Sequence, residues 1–221
     1  MDKNQKKVME KQIETVIRAL ERNNMKGIYV PTREEVPAQV SGLLHDGDTV
    51  AAGGSATLRQ CGVMDLLRSG RYRFLDRERP GLTPQQVQQV YRDSFCADAY
   101  LASSNAVTLN GELYNVDGNA NRVACLSYGP QSVILVVGCN KIVADLHAAQ
   151  IRVKRLAAPE NAARLSCDTY CAHKGVCQGI AGDMTDGCQS PGRICCSYLV
   201  QGYQRQPGRI KVLLVGEELG Y

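Results

Sequence analysis

Two mainly apolar runs constrain the fold of this chain more than any other feature. Residues 133–137 read VILVV and residues 210–215 read IKVLLV, so neither run keeps the strict alternation of a strand with one wet face. Strands of this kind are buried on both faces, which is typical of parallel sheets covered by helices on each side. We therefore predict that both segments are sheet strands, with residues 133–137 at a central position.

The rest of the chain alternates between helix and strand patterns. Apolar residues at helical spacing predict an amphipathic helix near residues 4–23. Thr32 and Glu35 have the form of a capping box that opens a helix running to about Leu44. We predict further strands at residues 27–30, 49–52, 72–75 and 99–102, and further helices at residues 56–67, 83–95 and 141–165, the last with a break at Pro159. This order predicts a layered α/β fold.

Domain organisation follows from the absence of repeats and Pro-rich linkers. We predict a single α/β domain over residues 1–221. Its irregular part is a Cys-rich insertion at about residues 166–206, which is too long for an ordinary connection and is therefore expected to be functional or organised by a ligand.

Composition and charge exclude several classes of protein. The formal net charge is only +4, with two Phe and no Trp, so neither a basic surface nor aromatic platforms for nucleic-acid bases are expected. No apolar run reaches the roughly 18 residues of a membrane span, and the charged first residues precede no signal-peptide stretch. We therefore expect a cytoplasmic protein that neither binds nucleic acid nor spans a membrane.

Residues 103–143 place many small and polar side chains between two apolar runs. Asn110 and Gly111 lie between AVTL and ELYN, which predicts a β-hairpin whose two turn positions have positive φ. The segment after the hairpin is crowded with hydrogen-bonding side chains. This density predicts a shaped site.

Four segments together resemble the lactate utilisation protein C family, which is built on the LUD domain. They are VAAGGSATL at residues 50–58, ADAYLASSNAVTLNGELYNVDGNANRVA at 97–124, VILVVGCNKIV at 133–143, and GRIKVLLVGEELGY at 208–221. The resemblance implies a Rossmann-like sheet with helices on both faces, similar to glucosamine-6-phosphate isomerase, ribose-5-phosphate isomerase and CoA transferases. It also implies a role in oxidising L-lactate to pyruvate, with partner proteins that carry iron–sulfur clusters.

A strand-to-helix turn supplies the first candidate ligand-binding residues. Gly53, Gly54 and Ser55 join a predicted strand to a predicted helix, where backbone N–H groups favour an anion, and Thr57 adds a hydroxyl. The alternative is a plain turn in which Ser55 caps the helix.

Polar residues after the hairpin supply the other candidates. Arg122 and Lys141 are cations suited to a lactate-like carboxylate, unless they are surface charges. Asn119 and Asn121 either contact a ligand or hold the loop through Asx turns. Glu112 and Asp117 are candidate catalytic carboxylates, provided that the cleft removes water from them, and the alternative for Glu112 is a solvated hairpin charge.

Ten cysteines without an expected secretion signal indicate thiols or metal ligands before disulfides. We interpret Cys61, Cys96, Cys125 and Cys139, which stand singly, as small buried hydrophobic residues. Six more lie near the C-terminus: Cys167, Cys171, Cys177, Cys188, Cys195 and Cys196.

The clustered thiols predict a soft-metal site. The family resemblance includes a related motif, matched by Cys171, Cys177, Cys188 and Cys195, although residues 178–187 form a longer insert here. Neither ferredoxin spacing is present, so an iron–sulfur cluster and a zinc ion, with His173 as a substitute ligand, remain open. The alternative is a set of free thiols or redox disulfides.

Three functional hypotheses follow. The first is a subunit or accessory protein of an L-lactate-oxidising iron–sulfur complex that binds a small carboxylate or a partner surface. It is favoured by the resemblance and by the lack of a nicotinamide or flavin motif. The second is a free-standing isomerase or a CoA or acyl transferase that acts on an anionic, for example phosphorylated, substrate. The third is a non-catalytic interaction protein with a structural metal.

Overall fold

The computed structural model describes residues 2–221 and contains a six-stranded parallel sheet. Its strands are β1 (Lys26–Val30), β2 (Thr49–Ala52), β3 (Arg73–Leu75), β4 (Ala99–Ala102), β7 (Ser132–Gly138) and β10 (Ile210–Val215), numbered in chain order. They lie in the order β1-β10-β7-β4-β2-β3, and each neighbouring pair is parallel. The predicted α/β class is confirmed, and β7 lies inside the sheet between β10 and β4.

Helices cover both faces of this sheet. They are α1 (Lys3–Arg22), α2 (Val36–Ser41), α3 (Ala56–Gln60), α4 (Val63–Leu67), α5 (Pro84–Asp93), α6 (Asn121–Ser127), α7 (Leu146–Arg152), α8 (Ala158–Arg164) and α9 (Tyr170–Lys174). Alternate residues of β7 enter two different cores: Leu135 packs with α1, whereas Ile134 packs with α2, α3 and α4. The unbroken apolar run therefore reflects burial on both faces. Within residues 2–221, no helix has the combination of length and apolar character that crossing a membrane requires.

A second, four-stranded sheet was not predicted. Its strands are β5 (Ala106–Thr108), β6 (Leu113–Asp117), β8 (Ile142–Val143) and β9 (Ser197–Gln201), in the order β8-β5-β6-β9. β9 comes from the segment predicted to be irregular and pairs antiparallel with β6. Tyr114 and Val116 of this sheet form a third core with Ala149 and Val153. The Cys-rich segment is thus attached to the hairpin that follows β4.

Three predicted helices differ from the structure. Thr32 makes no capping bond to the backbone; a 3₁₀ turn, Arg33–Glu35, precedes α2, which ends at Ser41 and not near Leu44. The helix predicted at residues 56–67 divides into α3 and α4, because Gly62 adopts a φ of +69° between them. The break predicted at Pro159 is replaced by a π-helical segment, Val153–Ala157, that leads directly into α8.

The predicted hairpin is present, but its turn is of a different kind. Gly111 has a φ of +79°, whereas Asn110 does not have a positive φ. The Gly111 N–H donates to the Thr108 carbonyl at 2.9 Å. A Cβ atom at Gly111 would lie 2.8 Å from backbone atoms of Ala19 and Leu20 in α1. Glycine is therefore required here both for the turn and for the close approach of the helix.

We expect Gly111→Ala to destabilise the protein by about 3 kcal/mol, because it combines an unfavourable φ with a backbone collision. Gly47→Ala is the matched control, since Gly47 also has a positive φ of +87° but no atom within 4 Å of the added Cβ. The control should lose only about 1 kcal/mol. Urea unfolding of both variants measures the difference, and equal losses would contradict the close-approach argument.

Candidate functional site

A cleft of about 490 Å³ lies at the carboxyl ends of the parallel strands. Its wall includes residues 54–57 after β2, residues 103–105 after β4, Lys141 after β7, and Arg77 after β3. Ligands of open parallel α/β sheets bind at this edge. The volume is in the range of small-molecule sites. The cleft is therefore the candidate ligand site.

Lys141 is the most unusual side chain of the cleft wall. It is only 2% exposed, and its Nζ donates to Thr57 Oγ1 and Ser103 Oγ, both at 3.0 Å. Both partners are uncharged hydroxyls. Burial, with a smaller effect from Arg152 and Arg122, lowers the pKa of Lys141 to about 7. The side chain is therefore available both as a cation and as a neutral amine near neutral pH.

Arg122 and Asp117 line the same cleft but are engaged with the protein. The Arg122 guanidinium donates to five oxygen atoms. Three are the Oδ1 atoms of Asp117, Asn105 and Asn115, and two are the backbone carbonyl oxygens of Ser103 and Val116. Asp117 Oδ2 accepts the backbone N–H groups of Arg122 and Val123 at 2.9 and 3.2 Å. This arrangement fastens the turn after β6 to the loop after β4. It leaves neither residue free for the ligand or base role that the sequence suggested.

The predicted Gly-rich turn is divided between local structure and the cleft. The Gly53 N–H donates to the Leu101 carbonyl at 2.9 Å, and Ser55 Oγ accepts the Leu58 N–H at 3.2 Å as the cap of α3. These groups are thus occupied, and α3 has only five residues. Gly54 faces the cleft beside the Arg77 guanidinium. The turn therefore shapes the cleft more than it supplies hydrogen-bond donors for an anion.

Asn119 and Asn121 lie on the cleft wall, as expected for ligand-binding candidates. Between them Ala120 has a φ of +60°, a strained conformation for a residue with a Cβ atom. Glu112 lies elsewhere: its carboxylate accepts the Thr108 hydroxyl at 2.6 Å beside the hairpin turn and does not line the cleft. The two predicted carboxylates are therefore not brought together.

The cleft wall is strongly cationic. Within residues 2–221, its one acidic residue is Asp117, and its five basic residues are Arg77, Arg122, Lys141, Arg164 and Arg193. Arg77, Arg164 and Arg193 were not predicted. For Arg77 the signal was present, because it follows the predicted strand at residues 72–75, and residues just after parallel strands meet at the ligand edge. An anionic ligand fits this wall best.

The four predicted metal ligands line one small cavity of about 20 Å³. Cys171, Cys177, Cys188 and Cys195 face it together with Tyr114 and Tyr198 of the second sheet. All ten cysteines are free thiols. Burial, followed by the nearby Cys177 and Cys171, raises the pKa of Cys195 to about 12. Among residues 2–221 no three His, Cys, Asp or Glu side chains are placed so that they could hold a metal ion without moving.

The other cysteines and His173 are placed differently. Cys61 and Cys125 are buried as expected, Cys139 is partly buried, and Cys96 is exposed, contrary to the interpretation. His173 pairs through Nε2 with Asp168 Oδ1 at 2.7 Å on the protein surface.

The LUD domain family model matches residues 13–215, which is most of the chain. The chain belongs to the LUD domain family. This match confirms the resemblance seen in the sequence. The family is associated with lactate utilisation. Among solved structures, the chain is similar to a DUF162 family protein from Deinococcus radiodurans, with 17% identity, a TM-score of 0.48, and coverage of 95% of this chain and 98% of that chain. No curated protein matches the chain.

Two cations, one buried and one partly buried, hold the cysteine loop of this LUD domain. Lys154, in the π-helical segment, is 5% exposed, and its Nζ donates to the carbonyls of Gly179 at 2.7 Å and Gly182 at 3.2 Å. Arg193 donates to the carbonyls of Cys188 at 3.1 Å and Cys195 at 2.8 Å. Arg193 also lines the cleft, so it joins the two cavities. Sequence reasoning missed both residues.

Proposed function

We propose that this LUD protein is a subunit or accessory protein of an L-lactate-oxidising iron–sulfur complex, and that its cleft binds a small carboxylate. Membership of a family associated with lactate utilisation supports the metabolic role. The observation that carries the binding proposal is the buried Lys141 amine, held between two hydroxyls at the wall of a cationic cleft.

Arg77 and Arg164 retain donors for the carboxylate. An arginine has five N–H donors, and Arg77 uses one of them on Tyr91 Oη at 3.3 Å. Arg164 uses two on Asn161 Oδ1. A planar guanidinium binds a carboxylate through two parallel hydrogen bonds. Lys141 in its ammonium form then donates to a second oxygen of the same ligand.

The cleft volume favours a second candidate, an isomerase or transferase acting on a larger anionic substrate. About 490 Å³ accommodates a molecule much larger than a three-carbon acid. Such enzymes need a nucleophile or a base. Asp117 is engaged with Arg122, and Glu112 lies outside the cleft wall, so neither carboxylate that the sequence suggested is available for this role. Family membership supports only the lactate role, which therefore has the stronger support.

A strain that lacks the gene tests the metabolic role. We expect poor growth on L-lactate and normal growth on pyruvate as the carbon source. The unaltered gene and a Lys7→Met variant, which changes an exposed lysine, should restore growth, whereas Lys141→Met should not. Normal growth of the deletion strain on L-lactate would contradict the proposal.

We further propose that Cys171, Cys177, Cys188 and Cys195 hold a metal centre. Four thiols around one cavity are a donor set suited to iron–sulfur clusters and to zinc. Lys154 and Arg193 would offset part of the negative charge of four thiolates while they hold the loop. An iron–sulfur cluster would supply electron transfer, and zinc would supply a rigid loop. The thiols must converge on the metal when it binds, because they are not placed as ligands beforehand.

Metal content is predicted to depend on these thiols. Protein purified without air should contain iron with labile sulfide, or zinc, in a fixed ratio to the chain. Cys177→Ser should lose most of the metal, because it removes a cavity thiol. Cys96→Ser, which alters an exposed cysteine, should keep it. Elemental analysis and the visible spectrum measure the metal content of both variants. Equal metal content in the two variants would contradict the proposed site.

A further inference from the structure

The surroundings of Lys141 are those of a reactive amine rather than of a structural cation. A buried lysine that serves only structure is usually surrounded by acceptors, as Lys154 is by three backbone carbonyls. Lys141 instead contacts two hydroxyls, which can donate as well as accept. Its neighbours therefore tolerate the neutral amine, whereas those of Lys154 do not.

The neutral form is accessible under ordinary conditions. Burial and the nearby Arg152 and Arg122 lower the pKa of Lys141 to about 7, so a large fraction of the side chain carries a free lone pair at neutral pH. A desolvated lysine next to other cations is the standard way in which proteins make this amine nucleophilic. Lys141 lines the cleft, so a ligand there meets it directly.

The ligand that fits both features has a carbonyl group and an anionic group. The cationic wall provided by Arg77 and Arg164 selects the anion. The lone pair of Nζ selects an electrophilic carbon, and a carbonyl beside a carboxylate is the smallest structure that combines the two. This points to 2-oxo acids as the chemical class.

We propose that Lys141 forms an imine with the carbonyl carbon of a 2-oxo acid bound in the cleft. The inference deepens the proposed function and rests on it, because it assumes that the cleft binds a small carboxylate. The Nζ lone pair forms a bond to the carbonyl carbon, and the C=O π electrons move to oxygen to give a carbinolamine. The oxygen then leaves as water with the two protons of the amine, and a C=N bond remains. Thr57 and Ser103 lie within hydrogen-bond distance of Nζ and pass these protons between nitrogen and oxygen.

Reductive trapping tests the imine. The purified full chain is incubated with pyruvate and sodium borohydride and analysed by intact mass and peptide mapping. We expect a single addition equal to the mass of pyruvic acid less one oxygen atom, located at Lys141. Labelling of Lys141 should exceed that of exposed lysines such as Lys7 about tenfold or more, because its free-amine fraction at pH 7 is much larger.

Variants separate the chemistry from folding. Lys141→Arg should abolish the label while its circular dichroism spectrum stays unchanged. Thr57→Val and Ser103→Ala keep the amine and should slow the labelling. Lys154 is an internal control, because it is equally buried but held by carbonyls, and it should not be labelled.

The outcomes distinguish the two proposals. Calorimetry could detect pyruvate binding while Lys141 carries no label or all lysines are labelled alike. This result would overturn the imine and leave the carboxylate site intact. If pyruvate neither binds nor labels Lys141, both the imine and the carboxylate site are overturned. Selective labelling of Lys141 supports both.

Discussion

Replacing Lys141 with methionine will remove a rise in stability between pH 7 and 10.5. The pKa of this lysine falls from 10.5 to about 7 on folding, so between these values the unfolded chain binds a proton that the folded chain does not. Under that condition the free energy of unfolding increases with pH. The rise attributable to Lys141 is roughly 4 kcal/mol, and below pH 7 the variant should be the more stable protein.

Urea unfolding between pH 6.5 and pH 9.5 measures this effect as the difference between the two proteins. Arg122, Arg152 and Cys61 are the charged or titratable groups that act on Lys141, and they are the same in both proteins. Lys7→Met, which alters an exposed lysine, should follow the unaltered protein. Parallel stability curves for the unaltered protein and Lys141→Met would mean that the amine is not desolvated.

Arg122→Met is expected to destabilise the protein by about 3 to 5 kcal/mol. The side chains of Arg122 and Asp117 are 12% and 11% exposed, so removing the arginine leaves a nearly buried carboxylate without its partner. It also leaves four amide and carbonyl oxygens, those of Ser103, Asn105, Asn115 and Val116, without this donor. Thermal or urea unfolding measures the loss.

The double variant Arg122→Met/Asp117→Asn isolates the ion pair. It removes both charges and should lose clearly less stability than the two single variants added together. Additive losses, or a loss below about 1 kcal/mol for Arg122→Met, would contradict the interpretation of this pair as the fastening of the cleft.

The main sheet was predictable because its signals are local. The apolar runs of β7 and β10 identified buried strands, and the pattern of α1 identified its apolar face, since each depends on residues near one another in the chain. The second sheet was not predictable in the same way. β8 has two residues, and β9 lies among cysteines and glycines, so its strand character depends on pairing with β6 far away in the sequence.

The candidate site was likewise predictable only in part. Several residues of the cleft wall were among the predicted candidates, for example Thr57 and Lys141, whereas Arg77, Arg164 and Arg193 were not. The hydrogen-bond partners of the candidates were not predictable, because whether Arg122 faces a ligand or Asp117 depends on how the loop after β4 meets the hairpin. Likewise, the hydroxyl environment of Lys141 combines Thr57 of α3 with Ser103, which follows β4, and these three residues are far apart in the chain. Composition and spacing carry no record of such contacts.

In the proposed carboxylate site Lys141 donates to the ligand in addition to the arginines of the cleft wall, and titration with L-lactate tests this contact most directly. Lactate has no carbonyl carbon that forms an imine, so its binding reports the ionic contact alone. Calorimetry should detect saturable binding at pH 6, about tenfold weaker binding at pH 8.5, where Lys141 loses its proton, and a comparable loss at pH 6 for Lys141→Met. Absence of binding at pH 6, or equal affinity in the unaltered protein and Lys141→Met, would contradict the account.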